Sequence, residues 1–131
     1  MRTAANEAVV RRIFDAFARK DGFALRDLFA SDAVWTVPGD GVMGGAYQGR
    51  EAIFRFLARL PKETGGSYSS RLVDVLASDE RAAALYRASG ERHGRRLDLD
   101  QVLLFRFRDG LVADVLALPS DPAAFEEFWA A

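Results

Sequence analysis

The residue types that acid–base and recognition chemistry draws on cluster between Tyr86 and Asp114. His93 is the only histidine and by type the natural general base near neutral pH. Its position in the tight turn Arg92-His93-Gly94-Arg95 argues instead for a solvent-exposed ring. Asp114 follows the hairpin signal Asp109-Gly110. A two-residue turn there sets Phe107 opposite Val112 and aims Asp114 at the core. A lone carboxylate in apolar surroundings holds its proton to higher pH and can act as acid or base; a bulge would reverse its side. Tyr86 and Gln101 carry donors that would polarise a substrate carbonyl in a dry site. In a filled core they would instead satisfy each other or the backbone. Arg92 suits a carboxylate or enolate, or reaches past the core to water. Asp98 and Asp100 are spaced as a carboxylate pair, but Arg95, Arg96 and Arg106 nearby favour a solvated ion network.

Composition removes many other chemistries. With no cysteine, the chain has no disulfide, iron–sulfur cluster, thiolate zinc site or thiol nucleophile. One histidine excludes a multi-histidine metal site, so neither metal nor cofactor is expected. The 18 basic and 19 acidic residues give a net charge of -1, without the electrostatic footprint of a nucleic-acid binder. The basic cluster Arg92, Arg95 and Arg96 has no aromatic interleaved. Gly39-Asp40-Gly41-Val42-Met43-Gly44 has the glycine spacing of a dinucleotide loop, yet it follows an isolated strand and is a chance match. Apolar runs are only a few residues long, and Met1 to Glu7 lacks the apolar stretch of a signal peptide. The expectation is one cytoplasmic domain spanning 1–131, with no membrane or nucleic-acid partner.

The elements that must position these residues follow from periodicity. Val9, Val10, Ile13, Phe14 and Phe17 have helical spacing within Glu7 to Arg19, and Phe23 to Phe29 continues as a second short helix. Ala33 to Val37 is β-branched and aromatic, a short strand carrying Trp35. Gly39 to Gly49 is too rich in glycine for a regular element; it reads as a loop, bearing Met43 and Tyr47, that could form a lip over an opening or a structural crossover. Glu51 to Leu60 regains helical spacing, and Pro61 stops it. The period then becomes two through Tyr68 to Ala77, Arg81 to Arg92, Leu97 to Arg108 and Leu111 to Leu118. Ser120 or Asp121 caps a last helix with Pro122 in its first turn. Helices first and strands last indicate an α+β domain with a curved antiparallel sheet over helices. The long strand turns Leu97, Leu99, Leu103, Phe105 and Phe107 to the core; its other face sets Val102 and Leu104 among charges that include Arg106. That mixed face is a candidate homodimer surface.

Four strings resemble the nuclear transport factor 2-like superfamily, in its SnoaL-like branch. They are Phe29-Ala30-Ser31-Asp32-Ala33-Val34-Trp35, Tyr47-Gln48-Gly49-Arg50-Glu51-Ala52-Ile53, Phe107-Arg108-Asp109-Gly110-Leu111-Val112 and the closing Asp121 with Phe128-Trp129. The resemblance implies a cystatin-like cone, in which a bent sheet and helices enclose an apolar cavity open at one end. It implies no catalytic set. The positions that carry a tyrosine and two aspartates in ketosteroid isomerases are Ile13, Val37 and Leu103 here. The Arg–Asp–Asp set of limonene epoxide hydrolases falls on Arg81, Ala83 and Ala117, and the Glu-His-Trp-like run of aldol-type cyclases on Asp114-Val115-Leu116.

The same match points Tyr86, Ala88, Gly90 and Arg92 into the cone opposite Gln101 and Leu103, and small residues at Ala82, Ala84 and Ala88 leave room beside the Tyr86 ring. The candidate catalytic residues are Asp114, Tyr86 and His93; the candidate ligand contacts are Trp35, Tyr47, Arg92, Gln101, Leu103 and Phe105. The expected function is binding of an apolar small molecule by a cofactor-independent isomerase, cyclase, dehydratase or hydrolase. The alternative is a non-catalytic ligand-binding or dimerisation module of the same fold.

Overall fold

The computed structural model describes residues 2–131. Helix α1 (Thr3–Arg19) buries Val10, Ile13 and Phe14, the stripe its spacing predicts, and ends at Lys20 in the left-handed region. The segment expected as a second α-helix is a 3-10 helix, Gly22–Leu28, opened by the Asp21 carboxylate accepting the Ala24 N–H. Phe29 then already belongs to β1 (Phe29–Val37), because it pairs with Val112 of the last strand. The glycine-rich stretch is not loop throughout: Gly45–Gln48 is β2, antiparallel to β1 from Val37↔Gly45 to Val34↔Gln48.

Helix α2 (Arg50–Glu63) continues past Pro61. Its last turn closes through the Thr64 hydroxyl, which donates to the Leu60 carbonyl at 2.8 Å. Four strands follow: β3 (Ser69–Ala77), β4 (Arg81–Arg92), β5 (Arg95–Arg108) and β6 (Leu111–Pro119). The sheet order is β2-β1-β6-β5-β4-β3. β1 and β6 run parallel, so the sheet is mixed and not wholly antiparallel as expected. The meander from β3 onward returns its last strand beside the first, in the same direction. Across β3 and β4, α1 closes one part of the concave side, and α2 covers β1 and β2. Helix α3 (Pro122–Trp129) is capped by the Asp121 carboxylate, with Pro122 in its first turn as the sequence indicates. Among the described residues, no helix is long and apolar enough to cross a membrane.

Fully buried Ile13, Phe29, Ile53, Leu97, Phe105 and Phe128 join these layers in one core. The glycine-rich stretch is packed, not free. Val42 N–H donates to the Trp129 carbonyl at 2.8 Å, and a Cβ on Gly41 would lie 2.7 Å from that same oxygen. The neighbour is backbone and cannot rotate away. Gly41→Ala should therefore push this stretch off α3 and cost about 2 kcal/mol in urea denaturation, as overpacking does.

Candidate ligand-binding cavity

Strand alternation builds one wall of a cavity. On β4 the inward residues Ala82, Ala84, Tyr86 and Ala88 are buried, while Arg87 and Ser89 stay partly exposed on the other face. Cross-strand pairing sets Tyr86 opposite Gln101 and Ala84 opposite Leu103. Small side chains keep the helices from filling the concave side. The result is a cavity of about 1220 Å³, larger than the roughly 300–1,000 Å³ usual for small-molecule sites. Trp35, Phe56, Leu103, Tyr68 and Trp129 make much of its wall. Its rim carries the exposed residues Lys20, Phe23 and Arg26.

Two polar side chains lie deep on this wall. Tyr86 and Gln101 are 5 % and 4 % exposed. The Tyr86 hydroxyl donates to Gln101 Oε1 at 3.5 Å, well beyond the ordinary O–H···O range of about 2.5–3.0 Å. Burial, and next the nearby Tyr68 hydroxyl, push the Tyr86 phenol well above its usual range. Tyr68 is raised by burial too, against a hydrogen bond with Ser70. Both phenols are therefore protonated donors near neutrality. Tyr86 also packs its ring 5.2 Å from Phe14, which meets Phe17 edge-on at 5.2 Å, so an aromatic path leads outward along α1.

Four of the nine site residues selected from the sequence line the cavity: Trp35, Tyr86, Gln101 and Leu103. The other five lie elsewhere, each for a definable reason. Asp114 faces outward, not into the cone. Arg106 pairs with Asp114 but Phe107 with Val112, so Ala113 is an extra residue and the bulge reverses the expected side. Asp114 forms an ion pair with Arg106 on the outer face, with both side chains about two-fifths exposed. His93 is exposed and occupies the first left-handed position of the β4–β5 turn, with φ 51°. Arg92 is buried but structural. It donates to the Ala130 carbonyl at 2.6 Å and to Phe128 at 3.4 Å, and lies 3.3 Å from the Glu63 carboxylate. Its donors hold the C-terminal end of α3. Tyr47 donates to the Met43 carbonyl at 2.7 Å and stacks on Phe56, so Met43, not Tyr47, reaches the cavity from this stretch. Phe105 is 1 % exposed and packs with Phe107 in the core. Asp98 and Asp100 do form a surface network, held by Arg87 at 2.8 and 3.0 Å.

Tyr68, Met43 and Trp129 are cavity residues that sequence reasoning did not select. Only topology brings the start of β3 and the end of α3 to one site; the Tyr68 and Trp129 rings lie 6.2 Å apart. The carboxylates that border the cavity, Asp15, Asp21 and Glu51, are at least partly exposed. Among the described residues, the inner wall offers hydrogen-bond donors and a carboxamide, without a charged acid or base.

A bent sheet wrapped over helices around an apolar chamber defines the nuclear transport factor 2-like cone. The SnoaL-like domain family matches residues 10–115, and the chain belongs to that family. Bal32a, from a soil-derived mobile gene cassette, is 38 % identical, covers 98 % of this chain and 99 % of its own, and superposes with a TM-score of 0.94. The uncharacterized protein Rv0034 of Mycobacterium tuberculosis is 34 % identical over 123 residues, 93 % of this chain and 94 % of that one. A protein of unknown function with a cystatin-like fold from Xanthomonas campestris shares the fold at 24 % identity and a TM-score of 0.89, over 96 % and 98 % of the two chains.

Burial is the first cause of a raised phenol pKa at Tyr47, Tyr68 and Tyr86, the three tyrosines of the chain. Unfolded tyrosines ionise near pH 10, so above that pH the unfolded state sheds protons that the folded state keeps. Stability should be full below about pH 10 and fall as the pH rises further. The expected record is a phenolate absorbance that lags free tyrosine until the fold is lost, with a denaturation midpoint that drops over the same range.

Proposed function

We propose that this protein binds an apolar small molecule bearing a carbonyl or hydroxyl oxygen, with that oxygen seated between Tyr86 and Gln101. The observation that carries this reading is the 3.5 Å contact of two nearly buried polar side chains facing a large apolar cavity. Buried polar groups normally find close partners. A pair this loose gains when a ligand oxygen accepts from Tyr86 Oη and from the Gln101 amide. Apolar walls supply affinity through area removed from water, and the polar pair supplies orientation.

A catalytic role for the same pair is favoured by the protonated state of Tyr86. Two donors on one carbonyl oxygen stabilise the negative charge that grows there on enolisation. That serves isomerisation or cyclisation of a ketone-bearing substrate without a cofactor. The base would then come from water or from the substrate, because the nearby carboxylates are at the rim. Binding is the part of the reading that the geometry supports most directly.

Two dyes separate the contributions. Nile red carries a carbonyl and N-phenyl-1-naphthylamine does not. Tyr86→Phe and Gln101→Leu should each weaken Nile red about fivefold by fluorescence titration, the worth of one hydrogen bond near 1 kcal/mol. Binding of N-phenyl-1-naphthylamine should hardly change. Equal effects on both dyes would mean that the pair acts by packing alone.

For the outer sheet face we propose contact with a second copy of the chain. Register places Leu76, Ala83, Leu104 and Leu116 in one row across β3, β4, β5 and β6, with Leu85, Val102 and Leu118 beside it. Leu76, Leu104, Leu116 and Leu118 are 61 %, 41 %, 39 % and 41 % exposed. The Arg106–Asp114 pair borders the row and gives each copy both signs of charge to match its mate. Leu104→Asp places an unpaired charge at the centre of the row and should halve the molar mass measured by light scattering. An unchanged mass would move the contact elsewhere.

A further inference from the structure

Among the described residues, the largest exposed apolar side chain is at the cavity rim. Phe23 is 82 % exposed, the highest value among the exposed large hydrophobic residues, and it borders the chamber beside Lys20 and Arg26. Scattered exposed apolar residues need no explanation. This one differs in its support and position. The segment that carries it is fastened on both sides. Asp21 N–H donates to the Ala16 carbonyl at 2.9 Å, and the Asp21 carboxylate accepts from Ala24 at 3.2 Å. Downstream, Leu25 and Leu28 are buried, and Arg50 donates to the Arg26 and Phe29 carbonyls. The backbone therefore holds the ring at the mouth, while 82 % of the residue's surface is open to water. The ring has room to turn about its own side-chain bonds.

We propose that Phe23 closes the cavity mouth, folding its ring onto the bound molecule and setting how long it stays. This rests on the reading that the cone binds a small apolar molecule. Closure needs only rotation of one side chain on a fixed 3-10 segment. Phe14 and Phe17, in edge-on contact along α1, continue the aromatic lining from Tyr86 towards the rim and give the turned ring and the ligand apolar surface to meet. In the open position the Phe23 ring is in water; turned inward, it and the outer end of the ligand lose water together. The occupant this implies reaches from the Tyr86–Gln101 pair to the rim with an apolar outer end. A ligand with a charged outer end would instead face Lys20 and Arg26 and leave Phe23 in water.

The test uses N-phenyl-1-naphthylamine and the absence of native cysteine. In stopped-flow displacement, Phe23→Ala should release the dye about tenfold faster than the unaltered protein, the worth of burying part of a phenylalanine ring. Phe23→Leu should fall between the two. Thermal midpoints should stay together, because the ring is exposed in the unliganded protein. The single thiol of Phe23→Cys should react more slowly with dithionitrobenzoate when dye is bound, whereas the thiol of Arg12→Cys, on the outer side of α1, should not change. Dye that binds but leaves the release rate and the thiol reactivity unaltered overturns the closing role and leaves the cavity reading standing. If the unaltered protein binds neither this dye nor Nile red, the cavity reading fails and the closing role fails with it.

Discussion

The β4–β5 ladder sets the polar pair that the chamber contains. Twelve residue pairs run unbroken from Arg81↔Arg106 to Arg92↔Arg95, joined by a turn in which His93 and Gly94 both take positive φ, at 51° and 73°. Such a turn matches the twist of the strands and allows no slack in register. A slip of one residue would exchange the faces of a whole strand. Turning β4 would bring Arg87 into the chamber in place of Tyr86; turning β5 would bring in Asp100 in place of Gln101. The only histidine therefore matters to the site as backbone, since its conformation at the turn fixes which side chains face each other about six residues further along the strands. Histidine is among the non-glycine residues that tolerate this region better than most.

At the turn end of the same ladder, Arg92 shows how a large chamber is kept from collapsing. An inward arginine in an apolar fold is costly unless its donors are used. Here they are spent on the Phe128 and Ala130 carbonyls and on Glu63 of α2, with Arg95 adding a second donor to Ala130 at 2.8 Å. These bonds take up carbonyls that the end of α3 cannot satisfy itself. They also tie α2, α3 and the sheet together around the space instead of through it. Trp129 thus stays on the cavity wall, and the glycine-rich stretch can pack on its backbone.

How much of this was legible in the sequence depends on the range of the determining interaction. Period-two alternation correctly placed Tyr86, Gln101 and Leu103 inward and Val102 and Leu104 outward, because it follows from local geometry. The four family strings foretold the cone. Asp114 was misplaced because one extra residue, Ala113, changes the side of everything between it and the strand end, and a bulge has no sure sequence mark. Arg92 was correctly inward, but its partners lie 29 to 38 residues away in sequence, so its use as a helix cap was invisible. Of the two residues expected together on a glycine-rich loop, Met43 lines the cavity and Tyr47 does not, because β2 formed where glycine density argued for loop; pairing with β1 outweighed the local cost. Tyr68 went unnoticed because its neighbours, Gly90 and Trp129, come from β4 and α3, far along the chain from it.

The bulge bears on function as well as on assignment. With Asp114 carried to the outer face, its charge is met by Arg106 at the border of the leucine row, and the chamber loses the one carboxylate the sequence could have placed there. The interior keeps polar groups that remain neutral around pH 7: a carboxamide and phenols whose ionisation burial opposes. Neutral donors can hold a ligand oxygen without the desolvation cost that a buried charge would impose. They can also stand without a ligand at modest cost, as the proposed binding requires. A buried acid would have favoured proton transfer at the expense of that tolerance. The same one-residue insertion thus moves a charge to the outer face proposed to meet a second copy, and leaves the cavity with the neutral polar groups on which the proposed recognition of a ligand oxygen rests.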